Sequence, residues 1–224
     1  MTRAAQARRI LDRYLVEVVE RHALCPWARA ARERGELAVG LLWGEPALDA
    51  WIAEAARLLA APGTRVAMVV APETALARRQ LATLRDQVAA RLPAAGVAEF
   101  HPDAALDLAT PARLVPFLRR SPDPMLQLVP LALIDDARAT RAAGAAGRSQ
   151  QARMLGGHAA LVREPPRDPR RDPRRDLADD IAAANHATVA EAHAAIVAVL
   201  DDIAADRQAA YARAGISSAC RSSR

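Results

Sequence analysis

The chain contains no lysine, so all 31 of its basic residues are arginine. Aromatic residues are only 3% of the composition, against 52% apolar residues overall. A core built from Ala, Leu and Val with few large anchors is therefore expected. All-Arg, Ala-rich usage is also what a GC-rich genome writes, so arginine abundance alone argues for no partner. There are two cysteines, Cys25 and Cys220, and no Cys-x-x-Cys pair. That is too few for a disulfide framework. No apolar run approaches the ~18 residues of a membrane span. None follows the N-terminal arginines as a secretory signal would. These absences describe a soluble, cytoplasmic, bacterial-type protein with no membrane partner. The net charge of +5 permits an anionic ligand and does not demand nucleic acid. No aromatic–basic pattern of the kind that stacks single strands occurs, so nucleic acid is not expected as a partner.

What is present is a regular alternation of elements. Leu11, Leu15, Val18 and His22 fall on one face of a helix spanning 4–22. Pro26 stops it, because the residue before proline avoids the helical region. Three apolar runs follow as strands, Leu37–Trp43, Val66–Ala71 and Val97–His101. Helices after Pro46 and from about Thr74 to Leu92 lie between them. The first two runs are continuously apolar, as strands buried on both faces are. The fold expected is α/β: a single domain with a small, mostly parallel sheet flanked by helices and a long C-terminal helix. A short helix should begin near Thr110-Pro111. Another should begin at Ser121-Pro122, capped by the serine and kinked or ended at Pro130.

The chain divides into an α/β core over 1–143 and a Gly/Arg/Pro-rich stretch over 144–176. A C-terminal helix follows over 177–212, then a tail over 213–224. The second stretch carries the tandem repeat Arg167-Asp168-Pro169-Arg170 and Arg171-Asp172-Pro173-Arg174. Alternating charge with regular proline builds no core and reads as a flexible insertion.

In parallel sheets, ligands sit beyond the carboxyl ends of the strands. Those ends are Trp43-Gly44-Glu45, Ala71-Pro72-Glu73 and His101-Pro102-Asp103. His101 and Asp103 supply a general base with its orienting carboxylate, or two metal ligands. The competing reading makes His101 a satisfied core residue and Asp103 a turn cap. Cys25 is the one thiol in a structured context, beside Arg29 and three residues after His22. It is a nucleophile or redox thiol if its pKa is lowered, and a small buried hydrophobe otherwise. Arg120 and Ser121, at an expected helix start, suit a carboxylate or phosphate. Arg120 could equally pair with Asp103 or Asp123. A small anionic ligand is the partner these residues point to. A metal site would use His101, Asp103 and Cys25, or a third ligand from His158, His186 or His193. The sequence names no cofactor.

Three motifs occur in order: Leu24-Cys25-Pro26-Trp27-Ala28, Phe100-His101-Pro102-Asp103, and Arg120-Ser121-Pro122-Asp123-Pro124-Met125-Leu126. Together they resemble a bacterial family catalogued as domain of unknown function 1415 (DUF1415), over roughly Tyr14–Leu128. A weaker echo includes Asn185. The resemblance brings no established activity. It implies that Cys25, His101, Asp103, Arg120 and Ser121 are the shared site residues. The chain departs from the family pattern at Arg119 (usually Asn), Asp123 (usually Tyr), Gln127 (usually His) and Ala104 (commonly aromatic). Three functions remain open at this point. One is an enzyme acting on a small anionic substrate through a Cys25/His101/Asp103 site. The others are a metal-binding protein and a non-catalytic binding or assembly module.

Overall fold

The computed structural model describes residues 1–25, 27–133, 135 and 173–217, with the backbone alone over 173–180. A four-stranded sheet lies at the centre. Its strands are β1 (Leu37–Leu41), β2 (Val66–Val70), β3 (Ala95–Phe100) and β4 (Met125–Pro130). They are ordered β1-β2-β4-β3. β1 and β2 pair in parallel, Leu37 beside Val66 and Leu41 beside Val70. β4 is inserted between β2 and β3 and runs against both, so that Met125 lies opposite Val70 on one side and Phe100 on the other. Three of the four strands thus share one direction, as expected of a mostly parallel sheet. Only β1–β2 is a parallel pair, so the sheet is mixed.

The strand β4 corrects the helix expected after Ser121-Pro122. Met125, Leu126 and Leu128 are all fully buried. A central strand buries successive residues on opposite faces, whereas a helix of the same residues would turn one side to water. Pro130 is tolerated because the ladder with β2 ends at Leu128. Its missing N–H therefore faces no β2 partner. Ser121 caps no helix; its hydroxyl donates to the Asp123 carbonyl at 2.6 Å.

Side-chain alternation on β2 and β4 creates two cores. Met68, Val70 and Met125 face a layer made of α1 (Arg3–Arg13), its π-helical continuation Tyr14–Glu20, α5 (Pro111–Leu118) and α6 (Pro173–Ala214). Ala67, Val69, Leu126 and Leu128 face α3 (Leu48–Leu59) and α4 (Arg78–Arg91). The expected flanking of the sheet by helices on both faces, with a long C-terminal helix, is what the fold shows.

The first helix is one helix of two kinds. After Arg13 its bonds lengthen to i→i+5, with Arg21 N–H donating to Val16 and Leu24 N–H to Val19. The wider turn buries Tyr14, Leu15, Val18 and Val19 together. Ala23 then takes a left-handed conformation, φ 51°, and turns the chain toward Cys25 and the short α2 (Ala28–Glu33).

α6 is fastened to α1 by charge. The Arg9 guanidinium grips Asp206 with two bonds, at 2.6 and 2.8 Å. Arg13 reaches Asp206, Asp202 and Glu17 at once. The helix continues to Ala214, past the boundary expected at 212. It ends where Gly215 adopts φ 65°. There Ile216 N–H returns to the Tyr211 carbonyl and Gly215 N–H to that of Ala212, the paired bonds of a Schellman stop. Ile216 is buried, so order extends past the expected start of the tail at 213. Most of the helix expected over 132–143, most of the insertion expected over 144–176 and the tail beyond 217 lie outside the described residues.

Candidate functional site

The carboxyl edge of the sheet carries a belt of polar groups. At the β1–β2 end, Glu73 accepts from Gly44 N–H at 2.9 Å and Ser217 N–H at 3.1 Å, and pairs with Arg3. The Arg3 guanidinium also lies 4.5 Å from the Trp43 ring centre. Burial works to raise the Glu73 pKa, but these donors outweigh it and hold the carboxyl below its usual value. Beside it, Glu45 accepts from the Thr74 hydroxyl and from Ala75 N–H, at 2.8 and 2.6 Å.

Under the middle of the belt lies a buried ion pair. Arg207 Nε donates to Asp123 Oδ1 at 2.6 Å, and Tyr211 Oη donates to Oδ2 at 2.6 Å. Arg207 also donates to the Pro72 carbonyl at 2.9 Å and packs 4.5 Å from the Tyr211 ring centre. Burial is the first cause that pushes the Tyr211 phenol pKa well up, and the Asp123 charge adds to it. The trio ties α6 to the ends of β2 and β4. The sequence did not reveal it, because Asp123 and Arg207 are 84 residues apart. The one available signal was an Arg and a Tyr four apart within the apolar stripe of Ile203 and Ala210.

At the β3–β4 end sit four of the five expected site residues. His101 follows β3 and is buried. Its Nε2 is 2.9 Å from the Leu76 carbonyl, and its Nδ1 accepts from Asp103 N–H at 3.1 Å. Those contacts fit the neutral Nε2–H tautomer with both ring nitrogens engaged. The Asp103 carboxylate is 3.8 Å from Nδ1 and more than a third exposed. The His101 N–H bonds the Arg119 carbonyl, which brings Arg120 to the same strand end. Arg120 pairs neither with Asp103 nor with Asp123. Its Nη2 lies 3.5 Å from Asp201, whose side chain is 64% exposed. Ser121 is buried, and its hydroxyl is engaged by its own chain.

Cys25 is elsewhere, so the three motifs do not converge. Its neighbour Leu24 gives its carbonyl to Asn185 on α6 at 3.2 Å, whereas Arg120 meets α6 at Asp201. Those two helix positions are about 24 Å apart at 1.5 Å per residue. Cys25 packs against the α1/α6 core. His101 reaches Leu76, which packs in the α3/α4 core. Burial raises the Cys25 pKa, and the N–H groups of Trp27 and Ala28 only partly offset it. Arg29, expected beside the thiol, stands 3.7 Å from Glu20 instead.

Of the candidate third metal ligands, His186 holds the Leu108 carbonyl at 2.9 Å and His193 that of Ala190 at 3.2 Å. His158 lies outside the described residues. Among the described residues no three His, Cys, Asp or Glu side chains are grouped to hold a metal ion. No described helix is long and apolar enough to cross a membrane.

Fold and site together define a single-domain α/β protein with a mixed sheet and a polar carboxyl edge. Comparison with family models, curated proteins and solved structures finds no match, so the DUF1415 resemblance rests on its three motifs.

Proposed function

We propose that this is a cytoplasmic protein, a divergent relative of the DUF1415 family, that binds a small anionic ligand at the β3–β4 end of the sheet. Arg120 anchors the ligand, and Asp103 stands at the rim. One observation carries the reading. Among the described residues, the Arg120 guanidinium at this strand carboxyl end has a single ion-pair partner, a 3.5 Å contact to an exposed carboxylate. An exposed ion pair of that kind contributes about 0–1 kcal/mol, so a carboxylate or phosphate can displace Asp201 at little cost. A bidentate ligand would gain two parallel bonds that Asp201 does not make.

Binding without covalent chemistry is the form the geometry favours. A Cys25/His101/Asp103 reaction, or a metal held by those three, needs the thiol within reach of the imidazole. About 24 Å of α6 separates Asn185, which holds the Leu24 carbonyl next to Cys25, from Asp201, which meets Arg120 at the His101 end. Burial also keeps the thiol protonated near neutral pH. The His101 ring serves as a brace that fixes the Asp103 turn.

The test is a titration of labelled protein with inorganic phosphate and with malonate, read by amide shifts. Saturable shifts confined to residues 101–103 and 119–121, lost in Arg120→Gln, support the reading. Shifts that persist in that variant, or no shifts with either anion, overturn it.

A further inference from the structure

We propose that the outer stripe of α1 is a self-complementary surface on which a second copy of this chain docks, antiparallel, through reciprocal Arg8–Asp12 pairs. The proposal is independent of the anion site, which lies at the sheet edge.

The inner face of α1 and the start of its continuation carry Ala7, Ile10, Leu11 and Tyr14 into the core. The opposite stripe forms an open depression of about 550 Å³, lined by residues of α1 and its π-helical continuation alone. Ala5 and Val16 form its apolar floor, and Val16 is 43% exposed. Arg9 and Arg13 border it, but their guanidinium groups are drawn aside to Asp206, Asp202 and Glu17. The floor is therefore left open between them.

The charges on the other border differ. Asp12 makes no hydrogen bond or ion pair among the described residues, although Arg32 and Arg8 are near enough to act on it electrostatically. Arg8 donates one nitrogen to the Val39 carbonyl at 2.8 Å and forms no ion pair among the described residues. Residues 8 and 12 are one helical turn apart on the same flank of the stripe.

That spacing matches one symmetry. In an antiparallel pair of helices related by a two-fold axis, residues on the same flank meet at opposite heights. With the axis near residue 10, Arg8 of each copy faces Asp12 of the other. The same axis sets Ala5 against Val16, a small residue against the exposed apolar one. A two-fold interface uses one patch twice, so one acid and one base one turn apart, neither in an ion pair among the described residues, suffice. One helix stripe is smaller than the ~800 Å² per partner of a stable interface, so the dimer is weak and concentration-dependent.

Sedimentation equilibrium over the micromolar range tests this with charge reversals. The wild-type chain is expected to rise from 23.9 kDa toward twice that mass as concentration increases. Arg8→Asp alone and Asp12→Arg alone place like charges opposite each other, and each should weaken association by about tenfold or more. An equimolar mixture of the two variants restores both opposite-charge pairs and should associate at least as well as wild type. Circular dichroism of each variant checks that it is folded. A wild type that stays at monomer mass overturns the proposal. So do single variants that associate like wild type, or a mixture no heavier than its components.

Discussion

The two faces of the sheet are covered by helices held in different ways. The α3/α4 layer is fastened mainly by apolar packing, with Trp51, Leu58, Leu81 and Val88 against Val69, Leu126 and Leu128, and α4 adds one ion pair to the sheet, Arg85 to Glu99 of β3 at 2.7 Å. Its buried Trp51 Nε1 has no acceptor among the described residues. The α1/α6 layer has an apolar core of its own, but carboxylates stitch its helices together and to the sheet. Asp206 and Asp202 hold α1, and Asp123 holds α6. The difference follows from connectivity. α3 and α4 are crossovers whose short loops already press them onto the sheet. α1 and α6 come from distant parts of the chain, and ion pairs with defined geometry set their register.

The sharpest break in the comparison is Asp123→Ala. It leaves the Arg207 charge buried without its carboxylate and Tyr211 without its acceptor. A loss of about 3–5 kcal/mol is expected, read as a lower midpoint in urea unfolding. An effect below 1 kcal/mol would show that water reaches the pair. On the other face, Leu81→Ala removes a fully buried side chain and opens a cavity at a cost of about 3 kcal/mol. Its effect should be insensitive to pH, and a pH-dependent loss would mean the layers are not distinct in kind.

Acid should separate the layers more gently. Hydrogen bonding to Arg9 lowers the Asp206 pKa, as Arg13 does for Glu17 and Arg32 for Glu20. A carboxylate with a depressed folded pKa contributes stability above its unfolded value, and loses it as pH falls through the folded one. Below about pH 4, amide exchange should therefore rise in α1 and α6 before α4. Only Glu54, held low by Arg57, titrates comparably on α3. Simultaneous loosening of both layers would erase the distinction.

Much of this architecture could be read from residue order. β1 and β2 announced themselves as continuous apolar runs, and Pro46, Pro62-Gly63 and Pro93 bounded the helices on either side of β2. β4 did not, because Met125-Leu126-Gln127-Leu128 has no period. A short run buried on both faces looks the same for strand and helix, and Ser121-Pro122 imitated a cap. The π-helical stretch was hidden for a related reason, since its apolar residues still approximate an α-helical stripe. The candidate site was legible only in part. The strand-end rule put His101 and Asp103 at the sheet edge, whereas Arg120 was expected at a helix start and reaches the same edge because β4 begins there. Cys25 was grouped with them by motif order, which carries no distance. The Asp123–Arg207–Tyr211 trio depends on how α6 returns across the sheet, and no local pattern encodes that.

The Glu73 carboxylate holds Arg3 and Ser217 at the same time, so the first and last described turns of the chain are neighbours. The linear order of the elements is then a matter of where the backbone is cut. A short peptide joining residues 3 and 217, with new ends opened at the exposed Pro62-Gly63 turn, would make a circular permutant in which every strand keeps its partner. In that ring α6 would lead directly into α1, and the charged seam between them would become a local helical hairpin.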